Sequence, residues 1–186
     1  VDNTNKVVTI NTGTNVTLTA TLSNCSTTTN VNTPNCTCLL VNAPISGGNQ
    51  TICSNQSIPA LAASTGVNET IDWYSASTNG SLLLQGSPSY VTTSAGIYYA
   101  EARNTINGCK SSSRTAISLI INMVPTLTID STVCAANLMT YKIYFKSTGN
   151  VSSTSGSVDN TNKVVTINTG TNVTLSATLN GCTTTF

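Results

Sequence analysis

Residues 1–25 read VDNTNKVVTINTGTNVTLTATLSNC, and residues 158–182 read VDNTNKVVTINTGTNVTLSATLNGC. The stretches differ only at Thr19 against Ser176, Ser23 against Asn180 and Asn24 against Gly181. Near-identity of this length points to a recently amplified array. The period of 157 residues is far longer than a solenoid turn of about 20–50 residues and suits two small domains per repeat. The 186 residues then hold one full repeat and the beginning of the next. The chain is therefore expected to be a piece of a longer repeated protein. Past Cys182 the match continues weakly through Thr184 and Thr185 and fails at Phe186, which stands against Thr29.

Only 7% of the residues are charged, against about a quarter in an average domain. Thr, Ser and Asn take the place of Lys and Glu. Thr favours strands, and Ser and Asn favour turns, so the expected fold class is all-β. Hydrophobic residues make up 39%, enough for a core. The net charge is +1 and the basic residues are scattered. No basic stripe of the kind that binds nucleic acid is present. No apolar run approaches the ~18 residues of a membrane span, and the most apolar stretch, 116–124, has the length of a strand.

Seven cysteines is an odd number for a disulfide framework. Cys25 and Cys182, however, are one repeat position. A single period then holds six: Cys36, Cys38, Cys53, Cys109, Cys134 and Cys182. An even count suits full pairing, which needs an oxidising compartment, so an extracellular location is expected. Cys36-Thr-Cys38 has no second close pair and the chain has no His, so no zinc site is expected, and no cofactor.

Two domain types are expected to alternate. Type A spans residues 40–122, with short strands at 50–53, 58–61, 70–74, 81–84, 89–91, 96–102 and 115–121, divided by Gly-, Asn- and Pro-containing turns. Type B spans residues 123–186 and is incomplete at its C-terminal side. Residues 1–39 are the C-terminal part of a preceding type B domain. In type B, Tyr141, Ile143 and Phe145 alternate with Lys142, Tyr144 and Lys146, the period of a strand with one buried face. Sheets left incomplete at both ends invite pairing with other chains. Completion by neighbouring sequence of the array is favoured over strand donation between subunits.

In type A, Trp73 falls between Cys53 and Cys109. That order is the one found in an immunoglobulin-like sandwich, where a bridge joins the two sheets and the Trp packs on it. A Cys53–Cys109 bridge is expected, with Trp73 in the core. For the type B cysteines the favoured pair is Cys134 with Cys182. Cys36 and Cys38 would then form a strained local bridge or pair elsewhere, and Cys25 is a candidate for a bridge between subunits.

TICSNQSIPAL (51–61), IDWYSASTNGSLL (71–83) and AGIYYAEARNTINGCKSSSRTAISL (95–119) closely resemble the Ig-like repeats of giant secreted surface adhesins from gliding Bacteroidetes. VPTLTIDSTVCAANLMTYKIYF (124–145) and PNCTC (34–38) resemble, more loosely, a companion β domain that alternates with them. The resemblance implies tandem, disulfide-braced immunoglobulin-like sandwiches. It also implies export by the type IX secretion system, display at the cell surface or in fibres, and no catalytic residues.

Candidate chemistry is sparse. Acid–base work would fall to Asp2, Glu69, Asp72, Glu101, Asp130 and Asp159, among which the sequence places no close pair. The Val1-Asp-Asn-Thr-Asn loop reads as an Asx turn before it reads as an ion site. Glu101 and Arg103 should share a strand face, with Arg103 covering an aromatic or meeting the next domain. Tyr90, Tyr98 and Tyr144 could stack on sugars but are more often core or cross-strand partners. The expected function is non-enzymatic: a structural repeat of an extracellular filament or adhesin shaft. Its partners would be copies of itself and the surface of another cell. The alternatives are a glycan- or protein-binding module and the stalk of a secreted hydrolase.

Overall fold

The computed structural model describes residues 1–186 except 3, 12, 34–37 and 39. The chain divides into two units, Val1–Leu40 and Val41–Phe186. The predicted roles of Cys36 fall outside the described residues.

The first unit is built on one antiparallel hairpin, β1 (Val16–Leu22) and β2 (Cys25–Val31). Ser23 and Asn24 close it with φ of 46° and 62°, the paired positive angles of a two-residue I′ turn.

The second unit opens with β3 (Ile45–Ser46), β4 (Gln50–Cys53), β5 (Leu61–Ser64), β6 (Glu69–Tyr74), β7 (Leu82–Leu84), β8 (Ser89–Tyr90), β9 (Gly96–Asn104) and β10 (Thr115–Asn122). These strands make two sheets, ordered β4-β10-β9-β6-β7 and β3-β5-β8. β4 runs parallel to β10, and the pairings of β10 with β9 and of β9 with β6 are antiparallel. The opening segment thus gives one short strand to each sheet, and the order is that of an immunoglobulin-like sandwich. Its core holds Leu61, Ile71, Trp73, Ala100, Ile117 and Leu119. Trp73 is fully buried; its ring stacks on Tyr90 at 5.7 Å and its Nε1–H donates to the Ser87 carbonyl at 2.9 Å. The Tyr98 hydroxyl donates back to the Ser94 carbonyl at 2.8 Å, the kind of bond a tyrosine corner makes.

A second sandwich follows: β11 (Leu127–Cys134), β12 (Thr140–Ser147), β13 (Asn150–Ser153), β14 (Ser157–Asp159), β15 (Val164–Asn168), β16 (Leu175–Leu179) and β17 (Cys182–Thr185). Its sheets are ordered β11-β12-β15-β14 and β13-β16-β17. Ile143 and Phe145 point into a core with Leu127, Val151, Val165, Ile167, Leu175 and Ala177, while Lys142, Tyr144 and Lys146 are exposed. Gly156 sits at φ +81°, and a Cβ there would lie 2.3 Å from the Thr166 carbonyl oxygen, so only glycine fits this turn.

β3, β13, β14 and β17 are absent from the sequence-based expectation. β13 and β14 hold Asn, Ser and Asp, and pairing with β16 and β15 makes strands of segments whose local preference is for turns. Phe145→Ala is expected to destabilise the second unit by about 3–5 kcal/mol, the usual cost of emptying a buried aromatic site. Urea denaturation would measure this, and a loss under about 1 kcal/mol would contradict the packing described.

Candidate functional site

The two sandwiches of the second unit meet at a covalent junction. Cys53, the last residue of β4, is bonded to Cys182, the first of β17, with 5.6 Å between their Cα atoms and a sequence separation of 129. Polar contacts surround the bond. The Asn122 side-chain amide donates to the Asn180 carbonyl at 2.8 Å. Val124 N–H donates to Ser54 Oγ at 3.2 Å, and Ser54 N–H donates to the Asn122 carbonyl at 2.8 Å. Cys182 is buried, at 1% exposure. The connector from Asn122 to Pro125 is thereby bound to both sandwiches, and Thr184 Oγ1 donates to the Pro125 carbonyl at 2.7 Å.

This overturns the expected Cys53–Cys109 bridge. The order Cys, Trp, Cys is present, but the cysteines stand on the wrong strands. Cys53 ends β4 and Cys109 lies beyond the end of β9, so neither can span the sheets beneath Trp73. Leu61 and Ala100, both fully buried, fill that place. Cys109 packs instead with Val41 and Ala102. It is disulfide-bonded, and so is Cys38. The expected Cys134–Cys182 pair is overturned as well. Cys134 is at the end of β11 beside Tyr141, whereas Cys182 lies against Asn122, the last residue of β10. Cys134 and Cys25 are exposed free thiols.

The charged residues form a second arrangement, on the outer face of β6 and β9. Asp72 and Glu101 are direct cross-strand partners and are 2% and 7% exposed. Opposed carboxylates repel, and three cations resolve the conflict. Arg103 forks onto Asp72, Nε to Oδ2 at 2.7 Å and Nη2 to Oδ1 at 3.1 Å. Arg114 Nε donates to Glu101 Oε1 at 3.1 Å, and Lys110 Nζ lies 2.8 Å from Oε2. Arg114 also lies over the Tyr74 ring, 3.4 Å from its centroid, a cation–π contact. Arg103 therefore pairs across the sheet with Asp72, and the covering of an aromatic expected of it falls to Arg114.

Burial pushes both carboxyls up, but their partners outweigh it. Hydrogen bonds from Arg103 and the Gly86 N–H hold Asp72 below its ordinary value, and Lys110 and Arg114 do the same for Glu101. Both therefore stay ionised, where a general acid would need a raised value. The Asp2 and Asp159 loops are true Asx turns. Asp2 accepts from the N–H groups of Thr4 and Asn5, and Asp159 from those of Thr161 and Asn162. Of the tyrosines considered for sugar stacking, Tyr90 and Tyr98 pack against the first core, and Tyr144 is exposed. Among the described residues no cluster is placed to hold a metal, and no helix is long and apolar enough to cross a membrane.

Two outcomes are expected. In the loop-entropy treatment a bridge closing so long a loop is worth about 5 kcal/mol. Paired Cys53→Ser and Cys182→Ser changes should cost about 2–5 kcal/mol in calorimetry and split one unfolding transition into two; an unchanged profile would count against a coupling role. The lowered carboxyls give the pH response. The unfolded chain binds more protons below pH ~4, so stability is full above that and falls as acid titrates the native carboxylates. Asp72→Asn with Glu101→Gln should flatten the fall in Tm between pH ~4 and ~2, and an equally steep fall would refute the assignment.

Residues 42–122 match the family model described as Ig-like domain CHU_C associated. No curated protein compared with the chain matches it. Among solved structures, the I-band fragment I67–I69 from titin is 12% identical with a TM-score of 0.37, covering 77% of this chain and 61% of the fragment. The N-terminal four Ig domains of Dscam1 isoform 6.44 are 10% identical with a TM-score of 0.31, covering 79% of this chain and 45% of theirs. Drosophila N-cadherin EC1–4 is 12% identical with a TM-score of 0.23, covering 92% and 56%. The chain spans about three-fifths of the titin fragment. It is an all-β protein of immunoglobulin-like fold, a structural or binding module whose residues 42–122 carry the match to that Ig-like family.

Proposed function

We propose that the chain is a repeat unit of an extracellular shaft, a filament or giant adhesin stem of the kind made by gliding Bacteroidetes and exported by type IX secretion. Copies of itself would be its partners, and attachment at a cell surface its task. The observation that carries this reading is the bond between Cys53 and Cys182, which joins successive sandwiches by a covalent link and not by a linker alone. Two further features support it. The 157-residue period supplies the unit for serial extension. Five of the six charged side chains of the first sandwich are engaged in internal ion pairs.

In a shaft the bridge limits how far a unit can be drawn out. The 129-residue separation corresponds to about 430–460 Å of extended chain. Single-molecule pulling from the two ends should therefore show an unfolded length greater by about that amount once a reductant is added. Equal lengths with and without reductant would remove the mechanical argument. Electron microscopy of unreduced material should show filaments with an axial repeat of roughly 70–90 Å, from strand rise and two sandwiches per period. Short unordered particles would favour a binding module.

A further inference from the structure

One sequence occurs twice in this chain in two different settings. In the second unit, Leu175 and Ala177 of β16 are 1% and 0% exposed, Ile167 is 1% exposed and Cys182 is 1% exposed. Their counterparts in the first unit are Leu18, Ala20, Ile10 and Cys25. Leu18 is 37% and Ile10 43% exposed, and Ala20 and Cys25 are exposed too. Leu22 is 81% exposed where its counterpart Leu179 is half-buried.

The three sequence differences do not account for this. Two lie in the hairpin turn, where Ser23-Asn24 and Asn180-Gly181 both adopt positive φ angles, 46° and 62° against 48° and 82°. The third, Thr19 against Ser176, is not among the core residues. Local structure is also the same: β1–β2 and β16–β17 are both antiparallel hairpins, and the Asp2 and Asp159 turns share their hydrogen bonds. What differs is the cover. In the second unit β13 pairs along the edge of β16, and Leu127 of β11 and Ile143 and Phe145 of β12 close the core. Among the described residues of the first unit the sheet is the β1–β2 pair.

We infer that the apolar face and free edge of β1–β2 form the docking surface for a segment with the sequence of residues 123–157, supplied by a neighbouring repeat, which closes a complete second-type sandwich over it. Cys25 then takes the place that Cys182 holds and meets the counterpart of Cys53 from that same repeat. The two thiols join as a disulfide. Their two electrons and two protons pass to an oxidant of the glutathione-disulfide class, which leaves as two thiols. The inference concerns assembly and stands whatever the assembled array does, so its failure and that of the shaft reading are separable.

Two extended forms of the full chain test it, one with residues 123–157 fused ahead of Val1, the other with residues 41–157 fused there. Amide hydrogen exchange is read at Leu18 and Ala20, with Leu175 and Ala177 in the same sample as the standard for folded protein. Both extensions should slow exchange at Leu18 and Ala20 at least a hundredfold relative to the unextended chain. Only the longer one, oxidised with glutathione disulfide, should protect Cys25 from alkylation and yield a peptide joining Cys25 to the added copy of Cys53. Phe145→Asp in the fused segment should abolish the protection. Protected standards beside unchanged Leu18 and Ala20 would overturn the inference. So would protection that survives Phe145→Asp, or a Cys25 that still alkylates in the longer form.

Discussion

The bond between Cys53 and Cys182 is the constraint from which the rest of the second unit takes its arrangement. Each sandwich buries a core of about seven or eight side chains, and domains this small keep a large share of their surface in water. A covalent tie across 129 residues removes much of the freedom of the unfolded chain and places the Asn122–Pro125 connector against both partners. The bond sits at the junction and not inside either core. Each core is therefore closed by side-chain packing alone, with Leu61 and Ala100 beneath Trp73 in the first and Phe145 at the centre of the second.

Charge is handled with the same economy. With 7 basic and 6 acidic residues in the whole chain, three of the cations are gathered around one cross-strand pair of carboxylates. Such a cluster would be weak if it were exposed. Here Asp72 and Glu101 are almost fully covered, and removing Arg103 would leave the buried Asp72 carboxylate without its ion-pair partner. The cluster ties β6, β9 and the segment between β9 and β10 together on the face away from the core.

The sheet-forming character of the chain was legible because Thr, Val and Ile leave little else to form, and the alternation at Tyr141–Lys146 marks the buried side of β12 directly. Trp73 could be placed inside from its bulk and setting. The disulfide pairing could not be read. Cysteine order is one-dimensional, and Cys53 lies on the strand that shifts from one sheet to the other, a position that spacing alone does not reveal. The Asp72–Glu101 opposition was equally hidden, since it depends on the register between β6 and β9, which brings together residues far apart in sequence. The short strands β13 and β14 were missed because they are made by their partners and not by their own composition.

The position of the bridge at the end of β4 has a mechanical consequence. A pull arriving from the N-terminal side of the second unit runs along β4 to Cys53, crosses the sulfur bridge and leaves through β17, so most of both sandwiches lies off the line of tension. The ladder from Gln50–Cys53 to Leu119–Asn122 lies off that line as well, because β10 belongs to the loop that the bridge closes. Tension is borne by covalent bonds, and the hydrogen bonds of the two sandwiches are loaded only once the bridge is reduced.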